Sequence, residues 1–203
     1  MDYKLYRPLI LCVLALMLLE VQCSPVPSAA STDGCKSALP SAVRLAKLLE
    51  YEANQLLEKH IKCDGCSKDS IPDDVPAATV SGVNFSEQLQ DIYTKGVLFR
   101  FHIAQVSRYQ RELLTDPEDV LKSLSRLNVR LNDILGTTKN LILQCNDSEK
   151  PQLTTAAPPQ PSCDDDYEKK LYSWGVIVRL KEWLTAVGRV LEEATSDDKK
   201  ARI

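Results

Sequence analysis

Apolar residues recur at helical spacing along four stretches of this chain, at residues 41–62, 85–114, 118–145 and 165–194. Steps of three and four place side chains on one face of an α-helix. In the first stretch the stripe positions are Ala42, Ala46, Leu49, Ala53, Leu56 and His60, and in the last they begin with Leu171, Trp174, Ile177 and Leu180. The pattern predicts four amphipathic helices and an all-α fold.

The lengths of the links between these helices predict their directions. The links at residues 63–83 and 146–162 are long and contain several prolines, whereas residues 115–117 form a very short link. A link of a few residues makes neighbouring helices antiparallel, and a long link can cross the length of a bundle. The order long, short, long therefore predicts an up-up-down-down, long-chain four-helix bundle.

Local signals mark the helix ends. Ser41 is placed to cap the first helix, and Asn84 and Glu87 have the spacing of a capping box. Pro117 suits the first turn of the third helix. Within the second helix, Gly96 is expected to weaken helix formation by up to about 1 kcal/mol relative to alanine.

Residues 1–23 have the pattern of a signal peptide. Lys4 and Arg7 precede an apolar run that ends at Leu19, which is too short to span a bilayer. Cleavage is expected near Cys23 or Ser24. The pattern predicts a secreted, extracellular protein in which residues 24–203 form one helical domain, with a flexible leader at residues 24–40 and a fraying tail from residue 195.

Five cysteines remain after the signal, at Cys35, Cys63, Cys66, Cys145 and Cys163. In an oxidising compartment they predict two disulfides and one odd thiol, with the pairing left open. A bond between Cys35 and Cys145 would close a loop of more than a hundred residues and would contribute about 4–5 kcal/mol in the chain-entropy model.

Candidate chemistry is sparse. Cys63 and Cys66 have the spacing of a redox or zinc motif, but the pair closes a helix and no second ligand pair is present. The chain has two histidines, no phosphate-binding glycine loop and no nucleophile beside a base, so no catalytic residue, metal or cofactor is predicted. The net charge of −3 offers no basic face for nucleic acid.

Two features favour a surface that other molecules contact. Asn84 and Asn146 begin glycosylation triplets at helix ends, as expected in a secreted chain. Tyr167 and Lys170 lie one turn apart at the exposed start of the fourth helix. A flat ring beside a cation can form a compact hot spot for a protein partner, although a tyrosine at the edge of the bundle with a solvated lysine has the same spacing.

The fourth helix also resembles that of a known family. Residues 167–171 (YEKKL), with Leu180 and Trp183 after them, resemble ciliary neurotrophic factor, and residues 187–190 (VGRV) are similar to part of oncostatin. Residues 57–62 (LEKHIK) in the first helix resemble the neurotrophic factor again. The chain thus resembles the interleukin-6-type long-chain helical cytokines of the leukaemia inhibitory factor, ciliary neurotrophic factor and oncostatin branch.

The resemblance implies two receptor-binding surfaces. Members of this branch bind the leukaemia inhibitory factor receptor through a Phe-x-x-Lys motif at the start of the fourth helix, which corresponds here to Tyr167 and Lys170, with tyrosine replacing phenylalanine. A second surface, for the signal-transducing chain glycoprotein 130, uses exposed faces of the first and third helices. By position it implies Arg44, Lys47, Tyr51, Asn54, Lys122, Arg126, Arg130 and Asp133. The family pattern also implies disulfides between Cys35 and Cys145 and between Cys163 and either Cys63 or Cys66.

These observations predict a secreted, monomeric, glycosylated cytokine that brings together type I cytokine receptor ectodomains to start JAK-STAT signalling, with no enzymatic activity and no small-molecule substrate. Two alternatives remain. Amphipathic helices are also used by secreted lipid-binding proteins, and Cys63 with Cys66 could serve a thiol oxidoreductase.

Overall fold

The computed structural model describes residues 31–145, 163 and 165–200, with side chains at 38–144, 163 and 165–196. Every regular element in this part of the chain is helical. Helix α1 spans Ser31–Lys59, α2 Phe85–Leu113, α3 Glu118–Cys145 and α4 Asp166–Lys200, and a 3₁₀ helix spans Lys68–Ser70. The predicted all-α class with four long helices is confirmed and is consistent with a four-helix bundle. The predicted signal peptide and the link at residues 146–162 lie outside the described residues.

Helix α1 begins at Ser31, ten residues before the predicted start of the first helix at residue 41. The predicted cap Ser41 lies inside the helix, and the helix continues through Pro40. A proline lacks the backbone donor and crowds the preceding turn, which is why the local signals favour a later start. Leu39 is buried in the core, and burial of this apolar side chain favours the longer helix.

The predicted capping pair at the start of α2 is confirmed. The Asn84 Oδ1 atom accepts a hydrogen bond from the Glu87 backbone N–H at 2.9 Å. The Glu87 Oε2 atom accepts one from the Val83 backbone N–H at 2.8 Å. Two donors without helical partners are thereby satisfied.

The far ends of α1 and α4 differ from the predictions in opposite directions. Helix α1 stops at Lys59, because the Leu56 carbonyl accepts hydrogen bonds from the backbone N–H groups of both His60 and Ile61. Helix α4 continues to Lys200, beyond the predicted end at residue 194. The Thr195 side chain does not cap this helix, because its hydroxyl donates a hydrogen bond to the Leu191 backbone oxygen one turn earlier.

The helices enclose one apolar core. Helix α1 packs against α3 and α4, and α2 packs against the same two helices. The rings of Phe99 in α2 and Trp183 in α4 are fully buried, with centroids 5.1 Å apart. The sequence pattern placed Trp174 in the core stripe of α4, but Trp174 is half-buried and Tyr172 is fully buried in its place.

The long connection between α1 and α2 covers α4. Ile71 and Val75 of this connection are buried, and Ile71 packs on Gly175, where an added Cβ would lie 3.0 Å from the Ile71 side chain. Four successive residues of α4, residues 175–178, are buried as a result. An amphipathic helix that packs on one side buries only a stripe, so the connection accounts for the wider burial of α4.

Gly96 lies where α2, α3 and α4 pack closely together. A Cβ at this position would lie 2.6 Å from Leu135 of α3 and 3.3 Å from Trp183 of α4. Glycine makes the helix less stable, but its lack of a side chain allows the three helices to pack closely at this level.

We expect Gly96→Ala to lower the free energy of unfolding by about 1 kcal/mol or more, because the methyl group must displace Leu135 and Trp183. Gly136 is a matched control, since it lies inside α3, is exposed and has no atom within 4 Å of an added Cβ. Gly136→Ala should raise the same free energy by about 0.5–1 kcal/mol. Urea denaturation measures both, and equal stabilisation by the two changes would contradict the packing described here.

Candidate functional site

The start of α4 presents Tyr167 and Lys170 to solvent. The Asp165 side chain caps the helix by accepting a hydrogen bond from the Glu168 backbone N–H at 2.8 Å. This cap fixes the first turn. Tyr167 is 54% exposed and Lys170 is exposed, as the spacing predicted.

The neighbouring Lys169 has a different environment. Its Nζ atom lies 2.8 Å from Glu112 Oε2 at the end of α2, and the hydrogen bond to Glu112 raises the pKa of Lys169. Lys169 therefore joins the first turn of α4 to the last turn of α2. Lys170 makes no ion pair with any described residue, so its charge is available to another molecule.

A groove of about 270 Å³ lies between the second half of α1 and the first turns of α3. Tyr51 on its rim is 62% exposed. At its side, Arg130 Nη1 lies 2.9 Å from Glu52 Oε1, and the second carboxylate oxygen of Glu52 is buried with no hydrogen-bond partner among the described residues. The groove is lined by Tyr51, Glu52, Gln55, Leu56, Lys59, His60, Ser123 and Arg126.

The residues implied for the second surface are divided by the packing of α1. Tyr51 and Arg126 line the groove together, and Arg130 lies beside it. Lys47 and Asn54 instead contact α4, Lys47 through Glu192 and Asn54 through a hydrogen bond from Lys181 at 2.6 Å.

The remaining three implied residues stand apart from the groove lining. Arg44, Lys122 and Asp133 are exposed, and none of them lines the groove. An exposed strip read from one helix cannot show which neighbouring helix its residues will contact.

Six lining residues were not among the predicted site residues, namely Glu52, Gln55, Leu56, Lys59, His60 and Ser123. Gln55 and Lys59 follow Tyr51 at steps of four, so helical spacing alone could have identified them. His60 was predicted on the buried stripe, but the helix ends before it and the buried residue is Ile61.

The cysteine pairing differs from the one that the family pattern implies. Cys63 is bonded to Cys66, and not to Cys163. The turn between them contains Gly65 with a φ of 80°, a conformation that glycine adopts without strain. This turn brings the two Cα atoms within 5.5 Å. The side chains of Cys35 and Cys145 lie outside the described residues.

Asn84 keeps its capping role while remaining open to glycosylation. It is exposed, and its Nδ2 atom donates to Glu87 Oε1 at 2.8 Å. A side-chain amide has two N–H donors, so a glycan on Nδ2 would leave one of them for Glu87. The second predicted acceptor, Asn146, lies outside the described residues.

The described residues contain no group of three His, Cys, Asp or Glu side chains that could hold a metal ion. Likewise, no helix in the described part of the chain is both long and apolar enough to cross a membrane.

No protein-family model, curated protein or solved structure matches this chain. Function is therefore inferred from the geometry of the two surfaces and from the sequence resemblance.

Arg130 and Lys47 allow a direct comparison of two ion pairs. Arg130→Ala should lower the free energy of unfolding by about 1–3 kcal/mol, because Glu52 would keep a largely buried charge without its partner. Lys47→Ala removes a pair whose side chains are 61% and 48% exposed and should cost less than about 1 kcal/mol. Chemical denaturation of both variants measures the difference. If both variants lost the same free energy of unfolding, Arg130 would be an ordinary surface residue that is free to bind a partner.

Proposed function

We propose that this chain is a secreted helical cytokine whose bundle has up-up-down-down topology and holds two type I cytokine receptor chains together. The observation that carries this proposal is the presence of two separate exposed surfaces on one tightly packed bundle. Proximity of the receptors' intracellular parts would then start JAK-STAT signalling.

The side-chain contacts support this topology. From the start of α1 to its end, the contact partners on α4 lie progressively nearer to the start of α4. The contacts of α2 with α4 follow the same order. The α1 pairs are Lys47 with Glu192, Glu50 with Thr185 and Asn54 with Lys181. The α2 pairs are Phe99 with Trp183, His102 with Tyr172 and Glu112 with Lys169. Both α1 and α2 would thus run opposite to α4, which requires the long connection between them to cross the bundle.

A zero-length carbodiimide cross-link between Lys169 and Glu112 should form and be identified by mass spectrometry. The end of α2 lies beside the start of α4 only if these helices are antiparallel. In an up-down-up-down bundle the two residues would lie at opposite ends. Lys47 with Glu192 is a control pair, because α1 and α4 are antiparallel in both arrangements. If the Lys47–Glu192 cross-link formed and the Lys169–Glu112 cross-link did not, the proposed topology would be excluded.

The positions of the two surfaces support simultaneous binding. The groove is lined by residues of α1, His60 and α3, whereas Tyr167 and Lys170 lie in the first turns of α4, which contributes no residue to the groove. The two surfaces therefore share no described residue. We expect a receptor chain bound in the groove to leave Tyr167 and Lys170 exposed.

The chemistry of the surfaces also favours protein partners. The groove combines an exposed aromatic ring, two cations and a carboxylate oxygen without a partner. Aromatic residues and arginine are enriched among the residues that dominate protein interfaces.

The distribution of exposed apolar side chains supports receptor binding over lipid binding. Among the described residues, the exposed large apolar side chains are Leu48, Tyr51, Val83, Phe101, Leu114, Val129, Leu143 and Tyr167. They are spread over all four helices and the links. A helix that binds a lipid surface needs a continuous apolar face, and the continuous apolar faces here are buried in the core.

Lys170→Ala should reduce signalling potency in responsive cells by about tenfold or more, because loss of a hot-spot contact typically costs more than 1.4 kcal/mol of binding free energy. Helix content measured by circular dichroism should not change. Lys139→Ala is the control, since it removes the same charge from an exposed position on α3. Full potency of Lys170→Ala would contradict the assignment of this surface.

A further inference from the structure

A polar cluster lies inside the apolar core where α2 meets α4. His102 is 1% exposed, and its Nδ1 atom lies 2.6 Å from the Tyr172 hydroxyl. Tyr172 is fully buried, and the Tyr109 ring packs edge-on against it with centroids 5.6 Å apart. The other ring nitrogen of His102, Nε2, is buried with no hydrogen-bond partner among the described residues.

The connection between α1 and α2 lies over this cluster. Ile71 packs on Gly175, less than one turn after Tyr172, and Val75 is buried as well. Asp74 is exposed between them, and its carboxylate acts electrostatically on both His102 and Tyr172. Residues 71–76 therefore form a cover that holds water away from the imidazole.

This environment suits a neutral imidazole and disfavours a charged one. A neutral ring has one donor and one acceptor, whereas the protonated ring has two donors. The Nε2–H of a protonated His102 would carry charge into the core without an acceptor, which is costly. Burial lowers the pKa of His102 from its ordinary value of 6.5, and Asp74 offsets part of this effect.

The other titratable and charged groups near the cluster come from two parts of the chain. Helix α2 contributes Tyr109 and Arg108, and Cys163 lies just before α4. Burial raises the pKa values of Tyr109 and Tyr172, so both stay neutral at and below neutral pH. Among the described residues, Asp74 supplies the charge that acts directly on His102.

We propose that His102, Tyr172 and residues 71–76 form an acid-sensitive latch, in which protonation of His102 releases residues 71–76 from α2 and α4. Release of this segment would let water reach the imidazolium. The inference stands on the contacts of the core and does not depend on receptor binding.

The direction of the pH dependence follows from the two states of the latch. In the open state His102 binds a proton at its ordinary pKa, and in the closed state only at a lower pH. The closed state is therefore fully favoured above pH 6.5 and loses its advantage as the pH falls. The ratio of open to closed molecules should rise about tenfold for each pH unit below 6.5, until the pKa of the closed state is reached.

Hydrogen exchange of the full secreted chain at pH 7.0 and pH 5.5 tests this proposal. The Val75 amide donates to the Pro72 carbonyl within the cover, so its exchange reports opening. After correction for the intrinsic pH dependence of exchange, opening at residues 71–76 should increase at pH 5.5, by up to about tenfold. Exchange in the middle of α3, which lies away from the latch, should change less.

Two variants separate the latch from general acid effects. His102→Asn keeps a hydrogen-bonding group at the Nδ1 position but does not titrate, so opening should become independent of pH between 7.0 and 5.5. Asp74→Asn removes the charge that favours a protonated His102 in the closed state. The increase in opening should therefore continue to a lower pH than in the wild-type chain. The same increase in His102→Asn as in the wild-type chain would overturn the proposal.

Histidine nuclear magnetic resonance gives a readout that requires no change at His102. The chain has two histidines, and His60→Asn identifies the remaining signal as that of His102. The His102 signal should stay in its neutral position at pH values where residues 71–76 remain closed. The proposal would also be overturned if His102 titrated at its ordinary pKa while hydrogen exchange at residues 71–76 did not change.

Discussion

The burial of α4 between α1, α2 and the first long connection is the constraint on which the rest of this structure depends. An isolated helix gains little stability in water, and most of its stability in a protein comes from packing. Here the packing reaches three sides of α4, since Ile71 covers Gly175 while Phe99 meets Trp183. The ion pair between Lys169 and Glu112 holds the first turn of α4, which precedes Lys170, beside α2.

Local sequence signals predicted the helices well wherever a side chain satisfies a backbone group. The Asn84 cap and the Pro117 turn locate the ends of α2 and α3 to within one residue. The start of α1 could not be predicted in this way, because Pro40 and Ser41 have the local preferences of a helix start while burial of Leu39 favours a longer helix. Tertiary packing outweighs local propensity at that end.

The surfaces could be predicted only as far as one helix determines them. The spacing of Tyr167 and Lys170 predicted that both are exposed on one face at the start of α4, and both are exposed. The α1 strip was less reliable, since Asn54 is held by Lys181 of α4 while Tyr51 borders the groove with α3. The buried His102 gave no sequence signal, because its role arises from a connection distant in sequence.

We propose that one bundle holds two receptor chains on two separate surfaces at the same time. Sedimentation velocity of the purified protein with two type I cytokine receptor ectodomains tests this most directly. The account predicts a single complex that contains one copy of each of the three proteins. Displacement of the first ectodomain whenever the second one binds would contradict it, because the α1–α3 groove and the start of α4 would then not be independent surfaces.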